Sequence, residues 1–361
     1  MISGGGTGGH IFPAIAIANA VRTKRPGTEF LFVGAEGKME MEKVPAAGYP
    51  IEGLPIRGFQ RRAMLRNIGL PLRLARSVLK ARRLVRTFKP DVVVGVGGYA
   101  SGPTLLAAQR AGVPTLIQEQ NSYPGATNRM LARRADRICV AYSGMERYFP
   151  ADRIRLTGNP VRQEVVRLAG KRPRAMEHFG LREDAPVLFV TGGSLGARGI
   201  NLGIEAALPS LRSAGVQVIW QTGNPFLERA RKAVAEAGIT DCKVMPFVDR
   251  MDLAYAAADL VVARAGAISV SELCLVHVPA ILVPLPTAAE DHQTHNARAL
   301  TDSGAGVLVK DANTVQELGP AILRLIGDAQ ERDRISLAMA AMGRADAAEI
   351  IADEVIGLSG T

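Results

Sequence analysis

Two glycine-rich turns, GGGTGGH at Gly4–His10 and GGSLGARG at Gly192–Gly199, each stand between a short apolar run and a helical pattern. Behind each turn the same alternation repeats. The first half carries FLFVG (Phe30–Gly34), DVVVGVGG (Asp91–Gly98), PTLIQ (Pro114–Gln118) and RICVA (Arg137–Ala141). The second carries VLFVTGG (Val187–Gly193), VQVIW (Val216–Trp220), KVMPF (Lys243–Phe247), DLVVA (Asp259–Ala263) and AILVP (Ala280–Pro284). Continuous Val/Ile/Leu runs closed by Gly or Pro are what a parallel sheet covered on both faces demands. Helical patterns such as Phe226–Ala237 and Val315–Ile326 lie between them. The fold expected is α/β: two Rossmann-like doubly wound domains facing across a cleft. A length of 361 residues suits two such cores, and 38 glycines with only 5% aromatics suit their turns.

The boundary is placed at GNPVR (Gly158–Arg162), where Asn-Pro breaks the chain. That gives a first domain over 1–160 and a second over 161–343. Arg167–Asp184, with Lys-Arg-Pro-Arg at 171–174, reads as a surface connection. The last helical stretch, Arg344–Leu358, is expected to pack back on the first domain. Only Met1, Ile2 and Ser3 precede the first glycine. The first strand is then very short, or the native start lies upstream.

Cys139, Cys242 and Cys274 show no CxxC or Cys/His ligand spacing and read as buried thiols of a reducing compartment. The longest uncharged run, Leu273–Ala289, holds Pro279, Pro284 and Pro286 and is short for a membrane span. The net charge of +10 is concentrated in one window, Gly53–Pro90. It contains Arg57, Arg61, Arg62, Arg66, Arg73, Arg76, Lys80, Arg82, Arg83, Arg86 and Lys89 with no acidic residue. Such a window can be a solvated helix face; its length without a carboxylate argues for an anionic partner. Its leucines and valines, with Phe59 and Phe88 as its aromatics, suit a lipid surface better than nucleic acid, which favours stacking aromatics.

The first glycine turn fails as a P-loop, since His10-Ile11 replace the Lys and Ser/Thr that such a loop needs. Gly4, Gly6 and Gly9 satisfy GxGxxG, but the next candidate ribose acid, Glu36, lies 27 residues past Gly9, too far for a dinucleotide fingerprint. What remains is close backbone approach to a ligand and free amides at a helix start. His10 sits where the positive helix end favours neutral imidazole; a general base and a loop-bonded structural histidine both fit. In GGSLGAR, Ser194 is expected at a helix N-terminus, where its hydroxyl and the backbone amides suit a phosphate. In VVARAGAISVSE (Val261–Glu272), Ala267 starts a helix after Gly266, and Glu272 suits a ribose diol or bulk solvent. In AAEDHQTHNA (Ala288–Ala297), His292 and His295 lack metal-ligand spacing, and Gln293 suits sugar hydroxyls. No metal site is expected.

Taken in order, GGGTGGHIFPA, GVGGYASGP (Gly95–Pro103), QEQNSYPGATN (Gln118–Asn128), GNPVR, GGSLGARGIN (Gly192–Asn201), RAGAISVSE (Arg264–Glu272) and DHQTHNA resemble the MurG family of N-acetylglucosaminyltransferases. The resemblance runs from the first residues to about Ala297. It implies the GT-B fold and an inverting transfer of N-acetylglucosamine from UDP-N-acetylglucosamine to undecaprenyl-pyrophosphoryl-muramyl-pentapeptide, a step of peptidoglycan synthesis tied to cell shape and division. By the same resemblance, Thr7, Gly8 and Gly9 approach the donor and Asn121 lies at the sugar. Arg162 and Ser194 serve the nucleotide phosphates, and Val248 meets uracil through its backbone. Ala267, Ile268, Ser269 and Glu272 wrap the pyrophosphate and ribose, and Gln293 reads the sugar. His10 is the expected base and Glu119 its competitor. No cofactor is required, and a loosely bound divalent cation is compatible. The segment 57–89 would meet an anionic membrane at the cytoplasmic face of a bacterial inner membrane, peripherally.

Two positions and one length depart from the family pattern: Gln118 stands where His is frequent, Leu195 where Gln is frequent, and the first strand is short. The rival readings are a UDP-sugar epimerase of the same fold, a nicotinamide oxidoreductase, and a non-catalytic membrane- or nucleic-acid-binding protein.

Overall fold

The computed structural model describes residues 1–57 and 69–360. The chain divides into two compact units, Met1–Val161 with Arg344–Thr361, and Arg162–Gly343.

The first unit is built on seven parallel strands: β1 (Ile2–Ser3), β2 (Phe32–Ala35), β3 (Ile51–Leu54), β4 (Val93–Gly95), β5 (Thr115–Glu119), β6 (Arg137–Val140) and β7 (Ile154–Leu156). Their order is β3-β2-β1-β4-β5-β6-β7. The two-residue β1 lies between β2 and β4, with Ile2 opposite Phe32 and Val94. Successive strand residues feed opposite layers: Val92, Val94, Leu116 and Cys139 enter one apolar cluster, and Val93, Ile117 and Ile138 enter the other. This is why the runs are apolar throughout instead of alternating. The helix after β1, Gly8–Lys24, contributes Ile11, Ala14 and Ile17 to the first layer, together with Ile351 and Ala352 of the last helix, Ala347–Ser359. The helix after β4, Ser101–Arg110, packs Leu105 and Ala108 into the second. The chain therefore leaves β1 and β4 toward opposite faces, and the loops at their carboxyl ends part to form a crevice.

The second unit repeats the plan with β8 (Val187–Thr191), β9 (Gln217–Gln221), β10 (Cys242–Met245), β11 (Leu260–Ala263), β12 (Ala280–Leu282) and β13 (Val307–Leu308). The order is β10-β9-β8-β11-β12-β13, all parallel, with the reversal between β8 and β11. Buried Trp220 donates through Nε1 to Asn201 Oδ1 at 3.0 Å, and Asn201 Nδ2 donates to Thr222 O at 2.9 Å. These bonds fix the helix Arg198–Ser213 against the end of β9.

Two doubly wound domains are thus present, as the apolar runs predict. The strands β3, β7 and β13 were not expected. The stretch Arg167–Asp184 is not a mere connection: it contains the helix Arg172–Phe179, which buries Ala175, Met176 and Phe179. Lys171 Nζ anchors its start to Asp252 at 2.8 Å. Cys139 and Cys274 are buried, whereas Cys242 is only partly so. Burial pushes all three thiols up to about 12, so they are poor nucleophiles.

The basic window forms the helix Leu70–Phe88, which places Ser77, Ala81 and Val85 inward and packs Leu84 and Phe88 partly into the core. Leu72 and Leu79 face out, 58% and 64% exposed. With Arg76, Arg83 and Arg86 they recur at intervals of four and three, on one exposed stripe. Arg61, Arg62 and Arg66, together with Phe59, lie outside the described residues. Among those described, no helix is long and apolar enough to cross a membrane.

Candidate active site

In the first unit the glycine turn after β1 meets the turn after β4. Gly5 (φ 149°) and Gly6 (φ 87°), with Gly97 (φ 93°) and Gly98 (φ 85°), occupy backbone regions that favour glycine. A Cβ on Gly98 would stand 2.2 Å from Gly5 O, and one on Gly97 would stand 2.9 Å from His10 Nε2. Only bare backbone lets the two turns and the imidazole come together.

His10 lies in the first turn of the helix Gly8–Lys24. Its Nδ1 is 3.0 Å from Gly5 O and 3.3 Å from Thr7 Oγ1. A carbonyl oxygen only accepts, so Nδ1 carries the proton there and Nε2 is the accepting nitrogen of the neutral ring. Thr7 and Gly9 are exposed, and Gly8 is partly so.

Glu119, at the end of β5, is 2% exposed. One oxygen accepts from Asn121 N and Nδ2 at 3.0 and 3.1 Å; the other accepts from Gly125 N at 3.3 Å and Asn128 Nδ2 at 2.8 Å. Burial raises its pKa, opposed by these same hydrogen bonds, Asn128 foremost. Four donors, three from the loop that follows it and Asn128 from the helix Ala126–Ala132, make this carboxylate a fastening point that orients Asn121. Beside it, Gln118 sits in a buried amide chain: Gln118 Nε2 donates to Asn159 Oδ1 at 3.0 Å, and Gln120 Nε2 to Gln118 Oε1 and to Val96 O. The chain is complete without a histidine at position 118.

In the second unit, Gly193 (φ 82°) and Gly196 (φ 74°) turn the chain after β8. A Cβ on Gly196 would fall 1.9 Å from Thr222 O, so the turn lies flat on the end of β9. Ser194 and Leu195 are exposed at its tip. Ser194 was expected at a helix N-terminus; the helix begins four residues later, at Arg198, because the two glycines extend the turn.

Gln221, missed in the sequence, holds this region together. Its Nε2 donates to Thr191 Oγ1 at 3.1 Å and to Gly193 O at 2.9 Å, and its Oε1 accepts from Val248 N at 2.8 Å. The Val248 N–H is thereby spent, which leaves the carbonyl as the backbone group able to meet a base edge.

The helix Ala267–Val276 starts after Gly266, which has no side chain to cap it, so the amides of Ala267, Ile268 and Ser269 point outward without intrahelical acceptors. On its buried side Glu272, 6% exposed, accepts from Tyr255 Oη at 3.2 Å and lies 3.9 Å from Arg162 Nη2. Burial pushes its carboxyl up, while Arg162 and Tyr255 pull it down. Gln293 Oε1 accepts from Leu285 N at 2.9 Å, which turns its amide NH2 into the group left for a ligand. Among the described residues, no three His, Cys, Asp or Glu side chains cluster to hold a metal ion.

Residues 1–140 match the glycosyltransferase family 28 N-terminal domain, and residues 187–351 its C-terminal domain. A Bacteroides fragilis protein named UDP-N-acetylglucosamine–N-acetylmuramyl-(pentapeptide) pyrophosphoryl-undecaprenol N-acetylglucosamine transferase is 52% identical over 361 residues, 99% of this chain and 95% of that relative. The crystal structure of MurG from Acinetobacter baumannii superposes with a TM-score of 0.82 at 29% identity, covering 99% of each chain. The UDP-GlcNAc 2-epimerase from Neisseria meningitidis, at 14% identity and a TM-score of 0.69 over 99% of this chain and 98% of its own, shares the fold alone. The chain belongs to glycosyltransferase family 28, and within it to the MurG family.

Proposed function

We propose that this protein transfers N-acetylglucosamine from UDP-N-acetylglucosamine to the 4-hydroxyl of undecaprenyl-pyrophosphoryl-muramyl-pentapeptide, with inversion at the anomeric carbon. The full-length likeness to the Bacteroides fragilis transferase, 52% identical over 99% of this chain, carries this conclusion.

In the proposed reaction His10 Nε2 takes the proton of the acceptor hydroxyl as that oxygen bonds the anomeric carbon. The bond to the donor pyrophosphate breaks, and UDP leaves with the electron pair. The amides of Ala267, Ile268 and Ser269, the Ser194 turn and the Arg162 guanidinium stabilise the charge on the leaving group. Glu272 receives the ribose hydroxyls, the Val248 carbonyl accepts from uracil N3–H, and Gln293 donates to a sugar hydroxyl. Thr7, Gly8 and Gly9 approach the donor with backbone, and Asn121, held by Glu119, faces the sugar. Glu119 serves this scheme as an anchor, since its oxygens already hold four donors. No resident cofactor is needed, and a loosely bound divalent ion would add to the same positive field.

The stripe Leu72, Arg76, Leu79, Arg83 and Arg86 supports peripheral attachment to an anionic membrane, where the lipid acceptor resides. A cytoplasmic face follows from the nucleotide donor. Formation of the lipid-linked disaccharide from the two substrates tests the proposal; 2-epimerisation of the donor in place of transfer would contradict it.

A further inference from the structure

Glu40 has no place in the scheme above, yet it is wholly buried. It opens the helix Glu40–Ala46 after β2, where the positive helix end suits a carboxylate. Its Oε2 accepts from Gly6 N at 2.9 Å, and its Oε1 accepts from Ala35 N at 3.0 Å. Two glycines make room for it: a Cβ on Gly5 would fall 2.2 Å from Glu40 Oε1, and one on Gly34 would fall 2.6 Å from its Cγ.

The Gly6 N–H and the Gly5 C=O belong to one peptide group. Glu40 holds the N–H end, and His10 Nδ1 is 3.0 Å from the C=O end. A negative charge at the N–H of an amide pushes electron density onto its oxygen, and hydrogen bonds in such a chain strengthen one another. A firmer acceptor at Gly5 O fixes the Nδ1–H tautomer and the ring plane, which keeps Nε2 as the accepting nitrogen.

We infer that Glu40 is a positioning residue for His10, acting through the Gly5–Gly6 peptide as a carboxylate–amide–imidazole relay. The arrangement does the work of a carboxylate bonded directly to a histidine, with one peptide group inserted. Glu40 exchanges no proton: the acceptor's proton ends on His10 Nε2. The inference rests on His10 being the base, and its test separates the two ideas.

Glu40→Gln keeps the side-chain volume but has one accepting oxygen, so an NH2 must face either Gly6 N–H or Ala35 N–H. The exposed neighbour Glu42, changed to Gln, serves as the control for helix charge. Turnover of Glu40→Gln should fall about 10–100-fold, the range over which groups that orient a functional histidine act. The donor KM should stay unchanged, and Glu42→Gln should behave as wild type. Nitrogen-15 spectra of the labelled imidazole should show His10 protonated at Nδ1 in the wild type and mixed tautomers in Glu40→Gln. Should Glu40→Gln fail to fold, Glu40→Asp, which keeps the charge on a shorter stem, should fold and show the same loss of tautomer preference. Wild-type turnover and an unchanged tautomer in a folded Glu40 variant would overturn the relay while leaving His10 as base. Full turnover in His10→Ala would instead remove the base, whatever the tautomer spectra show.

Discussion

Glu272 and Arg162 face each other with Oε1 and Nη2 3.9 Å apart, the carboxylate buried and the guanidinium 41% exposed. The pair is too loose for a tight ion pair, and Tyr255 adds one hydrogen bond from the buried side. A carboxylate held this way is placed for an incoming ligand more than for stability. Burial raises its pKa above the ordinary Glu value, so the folded state binds that proton more tightly than the unfolded chain does. The ionised form therefore costs stability at neutral pH. That cost fades as pH falls through the raised folded value toward the unfolded one. Glu272→Gln should melt at the same temperature as wild type or higher. Its donor KM should rise about 10–100-fold, the loss of charge-assisted bonds worth roughly 1.5–3 kcal/mol. Calorimetry and initial-rate kinetics check both halves; a lowered melting temperature with a normal KM would assign Glu272 to structure.

His10→Ala should lower kcat by about 10²–10⁴, the usual contribution of a general base, with donor affinity near normal. Isothermal titration with UDP-N-acetylglucosamine beside a turnover assay gives the comparison. Unchanged turnover would take the proton-accepting role away from this residue.

Gln221→Leu removes three hydrogen bonds and leaves the buried Val248 N–H without its partner, while Gly193 O keeps the Gly196 N–H at 2.9 Å. Unsatisfied buried groups cost roughly 1–3 kcal/mol each, so a drop in melting temperature is expected. The effect on catalysis should appear as a raised donor KM, because the turn after β8 and the Val248 backbone lose their common clamp. A variant that loses stability alone would show that the turn holds its shape unaided.

Replacing Arg76, Arg83 and Arg86 with Gln should weaken binding to vesicles of anionic lipid by about a hundredfold. Each basic residue near such a surface is worth about 1 kcal/mol, and each 1.4 kcal/mol is tenfold. Leu72→Ser with Leu79→Ser should weaken binding to anionic and neutral vesicles alike. Vesicle co-sedimentation at low and high salt separates the contributions; salt-independent binding of the wild type would remove the electrostatic part.

The sheets were legible because their central strands are buried on both faces, which forces continuous runs such as Val93–Gly95 and Val187–Thr191. Of the edge strands, β10 was legible in KVMPF, whereas β3, β7 and β13 carried no such signal. β7 is largely exposed, β13 has two residues, and β3 interrupts its apolar positions with Glu52 and Gly53. Around the site, Gly266 marked the helix start at Ala267 because nothing else in that stretch turns the chain. The turn at Ser194 looked like a helix start because the sequence does not say that Gly193 and Gly196 both take positive φ. Glu40 and Gln221 were hidden for a different reason. Each acts on backbone more than 25 residues away, Glu40 on Gly6 and Gln221 on Val248. Nothing in GKMEMEKVP separates buried Glu40 from exposed Glu42 except the four-residue spacing of Glu40 to buried Val44.

The transfer itself is tested most directly by UDP release. Purified protein is supplied with UDP-N-acetylglucosamine, with and without the undecaprenyl-linked muramyl-pentapeptide, and released UDP is measured over time. Release that appears only with the lipid acceptor, in step with acceptor consumed, is the predicted result. Release at the same rate without acceptor, or none in its presence, would contradict the account.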